Sequence, residues 1–582
     1  MIPTKRAWIS FAGAALFAVA MTACSSSGAQ PGGTNDAAPS DGAPSDAGLA
    51  DGPPGDGSVP VVTVAQGQLQ GRVDGKVFAY LGIPYAKPPV GPLRWKEPQP
   101  PASWSDVRDA TAFGNRCAQN ANPTLFTTAS ADEDCLYLNV WTPDPSASKL
   151  PVMVWIHGGG NVGGSASDPV PFADGGGSFY GGATLASNHV VVVSLNYRLG
   201  VFGFFAHPGL VDEGSKAGNQ GLWDQRFALQ WVQSNVAKFG GDPSNVTIFG
   251  ESAGSLDVCL HEASPQTPAL FERAISESGG CTTRQPTLAE GRTLMQSFAA
   301  QVGCSDAGAD ASAEAGADSA LSCMRNASVA TLLSMASASD AGGMLGPFEP
   351  VVDGDFLADQ PRTLYQNGKI AKTPYLLGSN QDEGTLFVLG QTPVTDQAGL
   401  TSYLDQQYGD ASAAVAQLYP VSEFDGGVPN PYQAAVTRIV GDSILVCSTY
   451  DSALLAAAQG SPVYMYDFDI PVDIPGVVGT MSGELYLGAS HGSELSFVFG
   501  SSPQFATDMA QASISQLMER YWTRFAAAGD PNGGSDLMWP KFSAMNDQRM
   551  QFTLMPSVVT GFRSAECMFW ISRYEAQFAA GP

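Results

Sequence analysis

The chain has 582 residues, 44% of them hydrophobic and 14% charged, which excludes both a chain disordered throughout and a coiled coil. With 28 Lys plus Arg against 55 Asp plus Glu, the formal charge is −27 and the pI near 4.4. Such a surface repels phosphate backbones and anionic headgroups, so nucleic acid is not an expected partner.

Met1 to Ala23 carries Lys5 and Arg6, an apolar stretch from Ala7 to Ala20, and then Met21-Thr22-Ala23-Cys24. This is the three-part layout of a secretory signal, and the one apolar run that approaches membrane length, though short for a spanning helix. Small residues directly before a cysteine resemble the lipobox of bacterial lipoproteins, which implies a diacylated Cys24 as the mature N-terminus. Ser25 after it would favour an outer-membrane or cell-surface location where the host has an outer membrane, and the protein is expected to be exported in any case. Ser25 to Pro60 is built almost wholly of Ser, Gly, Pro, Ala and Asp, with five Asp and no Lys or Arg. It cannot bury enough apolar surface to offset ordering, so residues 24–60 read as a flexible tether reaching about 30–35 Å. The membrane is then touched only through the lipid. A second low-complexity tract, Ser305 to Ala320, is expected to be a surface loop.

From Val61 onward, short β-branched or apolar runs alternate with longer helical stretches. Val152–Ile156, Val190–Leu195 and Val246–Phe249 suit strands buried on both faces of a mainly parallel sheet. Between the last two, Gly221–Lys238 spaces Leu222, Phe227, Leu229, Trp231, Val232 and Val236 as a helix. A single α/β domain over residues 61–582 is expected.

Gly250-Glu251-Ser252-Ala253-Gly254 follows the strand Val246–Phe249 directly and precedes a helix-forming segment. In that context a G-x-S-x-G turn holds its serine in a strained strand-to-helix bend, clear of the sheet. A serine hydroxyl is a poor nucleophile at neutral pH, so a histidine must take its proton and a carboxylate must orient the histidine. The chain has five histidines. His261 lies on the same helix as Ser252, about 13 Å further on, too far for a hydrogen bond. His157, His189 and His207 precede the serine, against the usual order of Ser, acid, His for such a turn. His491 satisfies that order. The acid must lie between, and Thr373–Gly384 offers a strand followed by Asp382 and Glu383; spacing alone does not choose between them, and Asp353 and Asp355 also remain. His157-Gly158-Gly159-Gly160 follows the strand Val152–Ile156, where a loop of backbone donors for an oxyanion belongs. A phosphate cradle is the rival reading of these glycines, but no Lys-Ser/Thr follows them.

The blocks Phe78–Trp95, Glu133–Val140, Asn196–Phe204 and Phe239–Gly254 together resemble the type-B carboxylesterase/lipase family. The resemblance spans about Val61 to Ala580 and implies an α/β-hydrolase fold. It implies Ser252 as nucleophile, Glu383 as acid, His491 as base, and Gly159, Gly160 and Ala253 as oxyanion donors, with Glu251 and Glu494 at acidic positions near the site. Family members that bind choline place a Trp between the first paired cysteines. Cys117 to Cys135 contains none here, so choline esters are disfavoured. Met344 and Gly346 suggest a roomy acyl pocket, and Asn161 stands where the family has an aromatic residue after the triple glycine.

Apart from Cys24, eight cysteines remain, enough for up to four disulfides among 105 connectivities. The resemblance pairs Cys117 with Cys135, Cys304 with Cys323 and Cys447 with Cys567, leaving Cys259 and Cys281 to pair or stay free, with pairing favoured. Neither C-x2-C nor H-E-x-x-H occurs, and no metal or cofactor is implied. The expectation is an ester hydrolase acting on a small-molecule ester through an acyl-enzyme. A lipase on longer glycerides and a non-catalytic adhesion module are the alternatives, and no oligomeric state is implied.

Overall fold

The computed structural model describes residues 59–122, 127–169, 178–304, 313–339, 347–389, 391–424, 430–472, 487–500 and 509–579. The signal at 1–23, Cys24, the tether as far as residue 58, residues 305–312 of the Asp/Ala tract, Met344 and Gly346 lie outside the described residues.

The described residues form fourteen strands: Val61–Val64 (β1), Gly67–Gln70 (β2), Arg72–Asp74 (β3), Val77–Pro84 (β4), Val107–Asp109 (β5), Tyr137–Thr142 (β6), Leu150–Ile156 (β7), Val191–Leu195 (β8), Gly241–Glu251 (β9), Arg273–Glu277 (β10), Tyr375–Asn380 (β11), Val463–Phe468 (β12), Gln548–Phe552 (β13) and Ser557–Thr560 (β14). Eleven of them build one sheet in the order β14-β13-β12-β11-β10-β9-β7-β8-β6-β4-β3, while β1, β2 and β5 form a small separate one. The block from β13 through β8 is parallel throughout, and antiparallel pairs occur only at its two flanks. This is the α/β-hydrolase architecture.

Helices cover both faces of the sheet, so its central strands are apolar at successive positions rather than at every second one. In β7, Val152, Val154 and Ile156 enter one core while Met153 and Trp155 enter the other. β8 divides the same way, with Val191, Val193 and Leu195 opposite Val192. The helix expected over Gly221–Lys238 spans Gln220–Asn235, continues as a 3₁₀ turn at Val236–Phe239, and leads into β9.

Two expectations are corrected. The tract expected to be a loop to Ala320 is helical from Ala313, in a helix that runs to Asn326. Alanine is the strongest helix former, and this helix gains an anchor where Ala320, Leu321 and Met324 are buried. The N-terminal run is also not alone in approaching membrane length. Pro431–Ala458 is long and apolar enough to cross a membrane, but 78% of its most apolar window is buried inside the protein. A helix enclosed by its own domain is apolar all round, which composition does not distinguish from a spanning helix.

All eight cysteines from Cys117 onward are paired: Cys117–Cys135, Cys259–Cys281, Cys304–Cys323 and Cys447–Cys567. The last spans 120 residues and ties the helix Cys447–Ala458 to the helix Ser564–Ala579. Replacing both Cys447 and Cys567 with Ala should lower stability by about 2–5 kcal/mol, measured by urea denaturation of the oxidised protein.

Candidate active site

The parallel strands end level with one another. Ile156 of β7 pairs with Gly250 of β9, and Glu251 of β9 pairs with Glu277 of β10, which pairs with Gly378 of β11. Loops leaving the carboxyl ends of adjacent parallel strands converge, so this edge is where an α/β sheet gathers functional side chains.

Ser252 sits between β9 and the helix Ala253–Ala263 with φ 58° and ψ −122°. A non-glycine residue held in such a region costs about 1–3 kcal/mol, and the surrounding structure must enforce it. The Ser252 amide donates to Glu277 O at 2.9 Å, and Ser252 O accepts from Leu256 N at 3.0 Å. The flanking glycines are required by contact. A Cβ on Gly250 would lie 2.6 Å from the Gly254 carbonyl, and one on Gly254 would lie 2.1 Å from Ile156 O. Gly158 and Gly279 press on the bend from outside, where a Cβ would come within 2.8 Å of Glu251 O and 2.6 Å of Ser252 O.

Glu383 opens the 3₁₀ turn Glu383–Val388 just beyond β11 and is buried. Its Oε1 accepts from Asn380 N at 2.7 Å, and its Oε2 lies 2.6 Å from His491 Nδ1. The two loops are stitched together by one backbone pair and two side-chain hydrogen bonds. Asp382 N donates to Ala489 O at 3.0 Å, Ala489 N to Asp382 Oδ2 at 3.1 Å, and Asn380 Nδ2 to Ser490 O at 2.9 Å. Of the four acids left open by spacing, Glu383 reaches the histidine. Asp382 faces Ala489 and Arg438, Asp353 accepts from Asp355 N and Leu357 N, and Asp355 pairs with Lys216.

The other ring nitrogen, His491 Nε2, stands 3.1 Å from Glu251 Oε1. Burial alone would pull the imidazole pKa down; the Glu251 and Glu383 charges and the Glu383 hydrogen bond outweigh it and raise it to about 9. Around this pair lie Glu494, which accepts from Asn380 Nδ2, and Glu277, which accepts from Trp522 Nε1 at 2.8 Å. Burial pushes the carboxyls of Glu251, Glu277 and Glu494 up, and their mutual repulsion pushes them further. Two buried glutamates, Glu251 and Glu383, thus flank the imidazole, one at each ring nitrogen.

Ahead of the serine, Gly159 and Gly160 have φ of 105° and 65°, conformations that glycine adopts freely. Ala253 is the first residue of its helix, so its NH has no intrahelical acceptor. Three of the four other histidines are engaged elsewhere: His157 Nδ1 contacts Gly158 O at 2.9 Å, His261 Nε2 contacts Gln225 Oε1 at 2.9 Å, and His207 accepts from Gly209 N. Asn161 is buried, and its amide meets Asp257. Sequence reasoning missed Asn380 and Glu277. The available signal for Glu277 was a carboxylate ending a strand that places Ala274, Ile275 and Ser276 in the interior.

The carboxylesterase family model matches residues 58–570. A cholinesterase of Mus musculus is 35% identical over 552 residues, covering 88% of this chain and 86% of that protein.

The two carboxylates beside His491 generate a direct expectation. Glu251→Gln should move the His491 pKa down, towards the ordinary value near 6.5, because it removes a negative charge that favours the imidazolium. Histidine-selective NMR titration reads this; an unchanged or higher value would contradict the assigned electrostatics.

Proposed function

Because this chain belongs to the carboxylesterase family and is a carboxylic ester hydrolase, we propose that it works through Ser252, His491 and Glu383 with an acyl-enzyme intermediate. The observation that carries this reading is the 2.6 Å contact between Glu383 Oε2 and His491 Nδ1, with the strained Ser252 following directly on Glu251, whose Oε1 lies 3.1 Å from His491 Nε2. Glu383 holds the proton on Nδ1, so the neutral imidazole presents Nε2 as the base. Ser252 Oγ attacks the ester carbonyl as Nε2 takes its proton. The oxyanion that forms is held by the NH groups of Gly159, Gly160 and Ala253. His491 then protonates the departing alcohol, and a water activated in the same way releases the acid and restores Ser252. Glu251 stabilises the transient imidazolium from its Nε2 side, and Glu494 acts from behind through Asn380.

The proposed substrate is a small neutral ester. A second reading, choline-ester hydrolysis, is favoured by 35% identity to a protein named cholinesterase. It is opposed by the absence of Trp between Cys117 and Cys135, which removes an aromatic platform for a quaternary ammonium. Four disulfides suit an oxidising compartment and support export, with attachment through Cys24 and the 24–60 tether.

Ser252→Ala should lower kcat for para-nitrophenyl butyrate by about 10⁴-fold or more with the fold intact by circular dichroism. An active Ser252→Ala would overturn the reading, and an acyl-chain series on the parent enzyme separates esterase from lipase. Since His491 must be neutral to act as base, kcat/KM for the parent should rise with pH on the alkaline side of 7 and level off near the raised His491 pKa. A profile already flat at pH 7 would contradict this.

A further inference from the structure

The donors of the proposed oxyanion hole come from two chain segments that share no backbone continuity. One is the glycine loop after β7, and the other is the start of the helix Ala253–Ala263. Electrostatic stabilisation of an oxyanion requires donors held at the correct positions before the reaction, and a displacement of about 1 Å can cost as much as 10²-fold in rate. A loop carrying Gly158, Gly159, Gly160, Gly163 and Gly164 has little stiffness of its own.

Asn161 follows the loop glycines directly and is in the left-handed region at φ 58°, where asparagine is tolerated far better than an aromatic residue. Its Nδ2 donates to Asp257 Oδ1 at 3.1 Å, and Asp257 lies on the helix that begins at Ala253. The partners are fixed in turn. The Tyr197 hydroxyl faces His157 O at 2.9 Å and Asn161 Oδ1 at 3.0 Å, so it holds both the backbone before the loop and the amide after it. Gln225 Nε2 donates to Asp257 Oδ2 at 2.6 Å, and Gln225 Oε1 meets His261 Nε2. All five side chains are buried. Burial lifts the Asp257 carboxyl to about 7 against the hydrogen bonds from Gln225 and Asn161. An apolar pair could fill this space without that desolvation cost.

We propose that Asn161 and Asp257 are positioning residues whose buried hydrogen bond locks the glycine loop to the nucleophile helix and so sets the spacing between the two halves of the oxyanion hole. This rests on the serine-esterase reading above. Neither residue touches the reacting atoms. Their effect is confined to how well the donors fit the tetrahedral intermediate, so it belongs in kcat and in the affinity for transition-state mimics rather than in KM.

The test uses the full chain, para-nitrophenyl butyrate, and a trifluoromethyl ketone whose carbonyl Ser252 adds to, leaving an oxyanion in the hole. Asn161→Gly removes the amide yet suits φ 58°, so it leaves no backbone strain. Asp257→Ala removes the acceptor, and Asp257→Asn keeps an acceptor oxygen for Asn161. Asn161→Gly and Asp257→Ala should each lower kcat roughly tenfold with KM within about twofold, and weaken the ketone in step. The double variant should be no worse than either single one, and Asp257→Asn should recover most of the loss. Melting temperatures show which variants fold. The proposal is overturned if folded Asn161→Gly has parental kcat and ketone affinity while Ser252→Ala is inactive. It is equally overturned if the two losses multiply to about 100-fold, or if folded Asp257→Asn is as impaired as Asp257→Ala. An active Ser252→Ala would instead remove the nucleophile reading on which the proposal stands.

Discussion

Ser252 occupies a backbone conformation that a residue with a side chain avoids, and most of what surrounds it serves to keep it there. The bend is trapped between the end of β7, the end of β10 and its own helix, with room for hydrogen but not for carbon at Gly158, Gly250, Gly254 and Gly279. The Ser252 amide is satisfied across the sheet by Glu277 O rather than within β9 or the helix. The strain is therefore held by close packing around the bend, and the disulfide between Cys259 and Cys281 joins the helix after the bend to the segment after β10. A loosened neighbour would let the backbone relax and lose the exposed position of the serine. That is a physical reason for small residues on every side of the turn.

A second constraint follows from where the bend lies. The carboxyl ends of β9, β10 and β11 deliver Glu251, Glu277 and Glu383 to one buried region, and the loop carrying His491 adds Glu494. Burial at low dielectric makes the charged form costly and drives the carboxyls of Glu251, Glu277 and Glu494 up. The imidazole pKa is raised as well, because the Glu251 and Glu383 charges that favour a cation there outweigh its burial. In the proposed reaction, the two carboxylates that make His491 more basic also make its protonated form easier to create. Basicity and readiness to be neutral pull against each other, and the pH at which they balance is set by how many of these glutamates hold protons.

The strand order also explains why long separations in the chain become short distances in space. Glu383 and His491 are 108 residues apart in sequence, and Asn161 and Asp257 are 96 apart. In each case the residues follow strands of the parallel block and leave them at the same edge of the sheet.

Much of this was legible in the sequence. A G-x-S-x-G turn between a strand and a helix identifies its serine through local chemistry, and with five histidines in the chain the order of the residues leaves one candidate base. The β-branched runs mark strands buried on both faces for the same local reason. What residue spacing left open and tertiary structure decided concerns direction and partnership, and for Glu383 the family resemblance had pointed the same way. Asp382 and Glu383 are adjacent and chemically alike, and the 3₁₀ turn that begins between them sends one carboxylate to His491 and the other to Ala489 and Arg438. Asn161 reads as an unexplained departure until Asp257 and Tyr197 are seen to close around it. The helix from Ala313 and the buried span Pro431–Ala458 were misjudged because composition reports how polar a segment is, not what lies against it. Local sequence carries backbone preference and chemical type, whereas side-chain direction and long-range contact exist only once the sheet has brought its strand ends together.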